Sequence, residues 1–344
     1  MTRRSRIAAV VVTHNRLAEL RKTVDALLRE PLDHVVIVDN ASRDGTADAI
    51  RALRDDRIVL LSLTENRGGA GGFAAGMTYC ARRLDPDWTV LMDDDARPME
   101  GAIARFRALR PGAAAVAAAA FLPDGTVCEM NRPFRNPFRD HRAFLKTLVR
   151  GRRGFHLGDA QYRSDRVQDV DGASFVGFFV SRRAVDCIGF PDRRLFIYGD
   201  DLDYCLRLRA AGERIEFAPG VRFTHDCGTF PHGAAAYRPI WKVYYNYRNG
   251  LLAYRKASGR LFPVLVPIVL VKWTLLSRRY GRQAPLFLRF LGLAVLDGLR
   301  GRTTRPHAEI LQTAGEPERA FAPSAAPGDA GPPRRALPGD RPGR

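Results

Sequence analysis

The 344-residue sequence has only five cysteines, and their spacing excludes two common stabilising devices. Because no two of them form a C-x-x-C pair, we expect neither a disulfide framework nor a structural zinc site. Reduced thiols in a cytoplasmic protein are the simpler interpretation. No apolar signal-peptide region follows the basic residues 1–6, so we also expect no secretion signal.

Long hydrophobic runs are missing as well. The apolar run Phe262–Val271 has ten residues, whereas a membrane-spanning helix needs about 20. A second run, Leu286–Leu299, is interrupted by Arg289 and Asp297. Since residues 240–300 are aromatic and basic as well as apolar, they favour helices lying on a membrane surface. Helices packed on the rest of the protein are an alternative that the sequence leaves open.

The positive charge is concentrated in two segments. Of the formal net charge of +18, residues 132–153 contribute eight Lys or Arg and one acid, and residues 251–305 contribute eleven and one acid. A local basic excess predicts an anionic partner surface, either lipid headgroups or nucleic acid. A generally Arg-rich proteome would produce the same excess without a partner. Clusters of acids elsewhere argue against nucleic acid, and we expect no such partner.

The composition, 46% hydrophobic and 27% charged, is typical of a globular protein with a sizeable core. In the first 120 residues, short Val- and Ile-rich runs alternate with helix-like segments, which predicts an α/β fold with a mainly parallel sheet flanked by helices. The predicted strands are Ile7–Thr13, Val35–Asp39, Ile58–Leu63 and Thr89–Met92. The predicted helices are Leu17–Arg29, Thr46–Leu53 and Ala70–Arg83.

Further along the chain, residues 131–165 are predicted to be irregular, as a mobile loop or a surface insertion. Gly172–Ser181 is predicted to form a strand, and Asp200–Ala211 a helix capped by Gly212. After residue 311 the chain is rich in Pro and Gly, which predicts a disordered tail over 312–344.

Unusual polar residues follow four of these predicted strands. Because ligands of parallel sheets bind at the carboxyl ends of the strands, these residues are expected to converge on one site. They are Thr13-His14-Asn15-Arg16, Asp39-Asn40, Asn66-Arg67-Gly68-Gly69 and Asp93-Asp94-Asp95.

Three consecutive carboxylates, Asp93, Asp94 and Asp95, end an apolar strand and would repel one another. A hard divalent cation, Mg²⁺ or Mn²⁺, relieves that repulsion and could neutralise a diphosphate leaving group. A solvated acidic loop is the alternative. Asp39 could bind a ribose or a base edge. Capping of the next helix by Asn40 and Ser42 is the alternative.

The glycine-rich run Asn66–Phe73 opens a helix, where glycines permit close approach of a ligand and the helix N-terminus favours anions. A tight turn without a ligand is equally consistent with this run. It is neither a dinucleotide fingerprint nor a P-loop.

A second acidic cluster, Asp200-Asp201-Leu202-Asp203, begins a predicted helix. One of the first two carboxylates could accept a proton from an incoming hydroxyl, with the other beside it, whereas helix capping by Asp200 is the alternative. Asp203 would fall on another side of the helix and be structural. His225 follows a predicted strand and could complete a metal shell, although a lone histidine is more often a packed one.

Taken in order, these motifs resemble the family 2 glycosyltransferases, which are inverting enzymes of the GT-A fold. The resemblance covers about Arg6 to Gly228, and within the family it is greatest to the galactofuranosyltransferases of actinobacterial galactan, followed by rhamnosyltransferases. It implies a nucleotide diphosphate sugar as donor and a polyprenyl-linked glycan as acceptor. One departure is Asp200-Asp201, where many relatives have Glu-Asp.

The resemblance also implies roles for the residues. Asp201 would be the catalytic base, with Asp200 beside it, and Mn²⁺ or Mg²⁺ would be held by Asp93, Asp95 and His225. The nucleotide sugar would be bound by residues from the strand ends, namely Thr13, Asn15, Arg16, Asp39, Asn66, Arg67, Gly71, Asp93 and Asp94.

The resulting domain prediction is a GT-A domain over 1–230, a helical extension over 231–311 and the tail. The protein is expected to be cytoplasmic and peripheral at the inner face of an anionic membrane. A sugar-nucleotide nucleotidyltransferase is the rival of another class, but it would need a basic Gly-rich loop after the first strand. A processive synthase is disfavoured because long transmembrane runs are missing.

Overall fold

The computed structural model describes residues 4–139, 141–226 and 236–315. Within these ranges a nine-stranded sheet is flanked by helices. The strands are β1 (Ile7–Thr13), β2 (His34–Asp39), β3 (Ile58–Ser62), β4 (Trp88–Asp93), β5 (Ala96–Pro98), β6 (Ala115–Phe121), β7 (Gln168–Val170), β8 (Phe178–Ser181) and β9 (Ile215–His225). The helices are α1 (Leu17–Arg29), α2 (Thr46–Arg51), α3 (Gly68–Tyr79), α4 (Ala102–Leu109), α5 (His141–Arg150), α6 (Asp159–Tyr162), α7 (Arg182–Ile188), α8 (Asp200–Ala210), α9 (Lys242–Ser258), α10 (Phe262–Leu275), α11 (Ala284–Arg300) and α12 (His307–Ala314).

The strand order is β3-β2-β1-β4-β8-β6-β9-β5, with β7 also paired to β9. The first four strands are parallel, and β8 runs antiparallel between β4 and β6. The predicted mixed, mainly parallel sheet is therefore confirmed. Its register pairs Thr13 with Asp39 and Val12 with Asp93, which brings the carboxyl ends of β1, β2 and β4 level with one another.

The central strand β1 is buried along its whole length, because helices cover both faces of the sheet. Alternate residues of β1 belong to two hydrophobic clusters, one with α1 and one with α3. On the second face, a Cβ added at Gly72 would lie 2.4 Å from Val12 Cγ1. The small residues of α3 thus allow this helix to pack directly on the strand that precedes the site.

Two sequence-based predictions need correction. The segment 131–165 was expected to be irregular, but it contains the helix α5. The strand predicted over Gly172–Ser181 begins only at Phe178, because Gly177 adopts φ +67°, where extended pairing stops. In contrast, α8 ends as predicted, and Gly212 follows it with φ +84°.

The C-terminal helices differ in how far their apolar side chains are buried. Helices α9 and α11 build a buried cluster that includes Tyr244, Phe287 and Phe290. Helix α10 instead leaves apolar side chains such as Val264 and Ile268 exposed. The predicted boundary after residue 230 lies outside the described residues. Helix α12 runs three residues into the predicted tail, and residues 316–344 lie outside the described part.

Candidate active site

The predicted polar clusters converge at the carboxyl edge of the sheet, and Asn40 joins two of them. Its Oδ1 accepts a hydrogen bond from the Arg67 backbone N–H (2.8 Å). Its Nδ2 donates to Asn66 Oδ1 and to the Gly68 carbonyl, each at 3.0 Å. The loop after β3 is thereby attached to the loop after β2.

The loops after β1 and β2 are joined in the same way. Asn15, with φ +53°, accepts the Arg43 N–H at 2.7 Å through Oδ1. Buried Asp39 accepts the Ser42 N–H at 2.9 Å. Asn15, Asp39 and Asn66 therefore hold the loops in place, and their contacts with a nucleotide remain predictions.

Asp94 turns into the protein and anchors the end of β1. Its Oδ2 accepts from Thr13 Oγ1 (2.8 Å), and its Oδ1 lies 2.9 Å from Arg16 Nη1. The other nitrogen of Arg16, Nη2, lies 2.9 Å from Asp95 Oδ2. One guanidinium therefore bridges two of the three aspartates. Burial raises the pKa of Asp94 to about 7, even though the charge of Arg16 opposes this shift.

Asp93, Asp95 and His225 each offer a ligand atom, and these atoms lie within 4.8 Å of one another. Asp95 Oδ1 is buried, lies 3.2 Å from His225 Nε2 and has no aligned hydrogen-bond donor among the described residues. Two carboxylates and one imidazole fit a divalent cation such as Mn²⁺ or Mg²⁺, and the buried Asp95 Oδ1 would be available as one of its ligands.

Asn131 orients the histidine, and the sequence analysis missed this residue. Its Oδ1 lies 2.7 Å from His225 Nδ1, while its Nδ2 donates to Ser174 Oγ at 2.7 Å. This contact at Nδ1 directs Nε2 of the imidazole towards the two carboxylates. No motif surrounds Asn131, so no sequence signal could have identified it.

The electrostatics of this group also favour a cation. Burial, followed by the charge of Asp95, raises the pKa of Asp93 to about 7. Burial favours neutral imidazole at His225, but the neighbouring Asp95 carboxylate raises the pKa of His225 to about 10. The carboxylates thus attract positive charge at the point where the three ligand atoms meet.

The acid pair begins helix α8, after Gly199 at φ +75°. Burial raises the pKa of Asp200 well above its usual range, and the charges of Asp201 and Asp93 add to this shift. Burial also raises the pKa of half-buried Asp201, to about 6. Burial therefore disfavours the charged form of Asp200 strongly, whereas Asp201 can ionise near neutral pH and accept a proton. Asp203 points elsewhere, to Arg207 Nε at 2.8 Å, as the sequence predicted.

Except at Gly69, a Cβ added to a glycine of α3 would lie close to other protein atoms. A Cβ at Gly68 would lie 2.0 Å from the Phe196 carbonyl oxygen, and one at Gly71 would lie 2.4 Å from Arg67 Cβ. Packing accounts for a small residue at both positions. Gly71 also lines the same cleft as Arg67, and its contact with a nucleotide sugar stays a prediction. Arg67 is half-exposed and lines a cleft of about 680 Å³ with Arg193 and Arg194.

Two further residues that the sequence analysis missed are Arg248 and Asn249. Both are buried in α9, and both donate hydrogen bonds to the carbonyls of the loop that precedes Asp200. They lie in the segment that the sequence analysis treated as an aromatic and basic extension.

An acidic group that fits a divalent cation lies with a second acid pair at the carboxyl edge of a mixed α/β sheet, an arrangement that agrees with the glycosyltransferase class. A family model described as "Glycosyltransferase like family 2" matches residues 4–244, which is more than two thirds of the chain. The protein belongs to this family, as its motifs predicted.

The chain is similar to two named members of glycosyltransferase families. The galactofuranosyltransferase GlfT1 of Mycolicibacterium smegmatis is 31% identical over 232 residues, which cover 67% of this chain and 74% of that protein. The dTDP-rhamnosyl transferase RfbF of Shigella flexneri is 24% identical over 311 residues, which cover 87% of this chain and 97% of RfbF.

Among solved structures, the fold is similar to that of GalNAc-T7, determined with UDP, GalNAc and Mn²⁺. The TM-score is 0.51 at 12% identity, over 74% of this chain and 48% of that one. This likeness concerns the fold alone, and it agrees with the predicted GT-A architecture.

Proposed function

We propose that the protein transfers galactofuranose from UDP-galactofuranose to a hydroxyl group of a lipid-linked glycan, with inversion at the anomeric carbon. The observation that carries the proposal is the meeting of Asp93, Asp95 and His225 beside the acid pair Asp200-Asp201. The choice of sugar is supported by the 31% identity to GlfT1.

In this reaction Asp201 accepts the proton of the acceptor hydroxyl. The acceptor oxygen forms a bond to the anomeric carbon from the face opposite the nucleotide, and the bond from that carbon to the diphosphate oxygen breaks. Its electron pair leaves with the nucleotide diphosphate. Burial raises the pKa of Asp200, which disfavours a second negative charge beside the base.

Asp93, Asp95 and His225 would hold the divalent cation, with Asn131 orienting the imidazole. When bound, the cation supplies the positive charge that stabilises the departing diphosphate. Thr13, Asp39, Arg16 and Arg67 lie at the same edge and are proposed to contact the nucleotide.

The acceptor side of the proposal rests on α10. Its exposed residues Val264, Ile268, Val271 and Leu275 recur at intervals of three and four and so form one apolar stripe. The linker that follows exposes Arg278, Arg279 and Arg282. An apolar stripe beside a basic cluster fits the surface of an anionic membrane, at the cytoplasmic face where a lipid-linked acceptor would lie.

Length and hydropathy alone would allow the stretch Lys242–Arg300 to include a membrane span. The backbone is interrupted, however, by Gly259 at φ +53° and Gly281 at φ +51°. Helix α10 has 14 residues, which extend for only about 21 Å, shorter than the ~30 Å hydrocarbon core. We therefore propose that α10 lies on the membrane rather than across it.

Vesicle binding tests this surface. Replacing Val264, Ile268 and Val271 with Ser should reduce co-sedimentation with phosphatidylglycerol vesicles at least tenfold, because about 25 cal/mol is lost per Å² of apolar area that would be buried. The matched control is Leu53→Ser, at an exposed leucine of α2's C-terminal end. Equal binding by the triple variant and the parent protein would refute the assignment of α10.

A donor panel tests the sugar. Purified protein is supplied with Mn²⁺ or Mg²⁺ and a polyprenyl-linked glycan, and release of nucleotide diphosphate is followed for each sugar nucleotide. Preferred use of UDP-galactofuranose is expected. Use of dTDP-rhamnose alone would favour a rhamnosyltransferase, the second candidate, which is supported by the 87% of this chain that aligns with RfbF.

A further inference from the structure

The loop that presents the acid pair adopts an unfavourable backbone conformation. Phe196 and Tyr198 both have φ +66°, in the left-handed region that residues with a side chain rarely occupy. Such conformations persist only where surrounding contacts impose them, and they cluster at functional sites. Residues 194–199, which lead directly into Asp200, are called the presenting loop below.

The contacts that impose this conformation come from two adjacent side chains of α9. Asn249 Nδ2 lies 3.0 Å from the Leu195 and Ile197 carbonyl oxygens and 2.7 Å from that of Tyr198. Arg248 Nη2 donates to the Leu195 carbonyl at 2.9 Å and to the Arg194 carbonyl at 3.2 Å. Four carbonyl groups of the presenting loop are thus held by one arginine and one asparagine.

The two side chains also fix each other. Arg248 Nε donates to Asn249 Oδ1 at 2.8 Å, so the amide of Asn249 must turn its Nδ2 towards the loop. The exposed fraction is 0% for Arg248 and 2% for Asn249. Burying a guanidinium is costly unless its N–H groups find acceptors, and in the described part of the chain no carboxylate forms an ion pair with it.

The presenting loop also contacts the donor side of the site. The Phe196 carbonyl accepts the Ala70 N–H at 3.0 Å, at the start of α3. A shift of the loop would therefore move Asp201 relative to the nucleotide-binding edge. The proposed metal ligands Asp93, Asp95 and His225 would stay in place.

We propose that Arg248 and Asn249 are positioning residues for sugar transfer. By holding the presenting loop, they set the position and orientation of the Asp201 carboxylate. The proposal rests on the proposed function, since it takes Asp201 to be the base. It also makes α9 part of the catalytic unit rather than an appended membrane segment.

The test compares Asn249→Ala with Asn246→Ala, a control in the same helix. For Asn249→Ala we expect kcat for transfer to fall at least tenfold, because a displacement of about 1 Å in a catalytic group can cost on the order of 100-fold. The affinity for UDP in the presence of Mn²⁺, measured by calorimetry, should change less than twofold. Asn246→Ala should match the parent protein in both measurements.

Arg248→Lys is the second variant, used if Asn249→Ala does not fold. It keeps the positive charge but cannot reach two carbonyls and Asn249 together, so kcat should again fall at least tenfold with UDP affinity unchanged. Unchanged kcat in a folded variant, or a loss of kcat matched by an equal loss of UDP affinity, would overturn the proposal. Absence of transfer by the parent protein would instead contradict the proposed function.

Discussion

The pH dependence of transfer should report the ionisation of Asp201. Burial raises the pKa of this carboxyl to about 6, so its ionised form prevails above pH 6 and is lost below it. At pH 7 about nine-tenths of the groups would be ionised and at pH 5 about one-tenth, so a rate that depends on the base falls roughly tenfold. An aspartate with an ordinary pKa of about 3.9 would lose less than a tenth of its ionised form between pH 7 and pH 5.

The assay is single-turnover transfer with saturating Mn²⁺ and prebound donor, because the pKa values of Asp93 and His225 are also shifted and would affect metal binding. Asp201→Asn should lower the rate by about 100- to 10,000-fold at pH 7, the usual contribution of a general base, and should remove the pH dependence. Donor affinity should change less than twofold. Near-normal transfer by Asp201→Asn, or a rate that stays constant from pH 7 to pH 5 in the parent protein, would refute the assignment.

Two further substitutions test the metal group and the packing of α3. Asp95→Ala should weaken Mn²⁺-dependent binding of UDP at least about tenfold in calorimetry, since even outer-shell partners of metals contribute this much. The control is Asp226→Ala, which removes a surface partner of Arg97. Equal UDP affinities of the two variants would contradict the metal assignment. Gly72→Ala should destabilise the fold by about 1–3 kcal/mol in denaturant unfolding, because its Cβ would lie 2.4 Å from Val12 Cγ1. Gly69→Ala has open space around its Cβ and should be neutral or slightly stabilising, and equal effects at the two glycines would count against the packing argument.

The N-terminal half of the fold could be predicted because its signals are local. The buried strand Ile7–Thr13 and the helix Leu17–Arg29 have the predicted bounds, since a short continuous apolar run and an amphipathic helical pattern are both visible in the local sequence. The aspartates Asp93–Asp95 were expected at the carboxyl edge because they come at the end of an apolar strand, and parallel strands bring such ends together. His225 was grouped with Asp93 and Asp95 only through the family resemblance.

The remaining features depend on contacts between distant parts of the chain. Asn131 binds His225 across 94 positions, and Asn249 binds the loop carbonyls across more than 50. Neither residue is part of a motif, and in sequence the Arg248-Asn249 pair cannot be told from a polar position in a surface helix. Helix α5 was missed for another reason, since the prolines and many arginines of residues 131–153 indicated a loop.

The three consecutive aspartates show how one run of identical residues is divided into different roles. Thr13 and Arg16 occupy both oxygens of Asp94, and Arg16 also takes Oδ2 of Asp95. Asp95 Oδ1 is buried, accepts no aligned hydrogen bond within the described residues and lies 3.2 Å from His225 Nε2. Arg16 therefore determines which carboxylate oxygens remain for a cation, because its planar guanidinium can bind two carboxylates at once, as a lysine ammonium cannot with the same geometry. Arg16, which the sequence suggested only as a nucleotide contact, thus also pairs with two of the aspartates beside the proposed metal ligands.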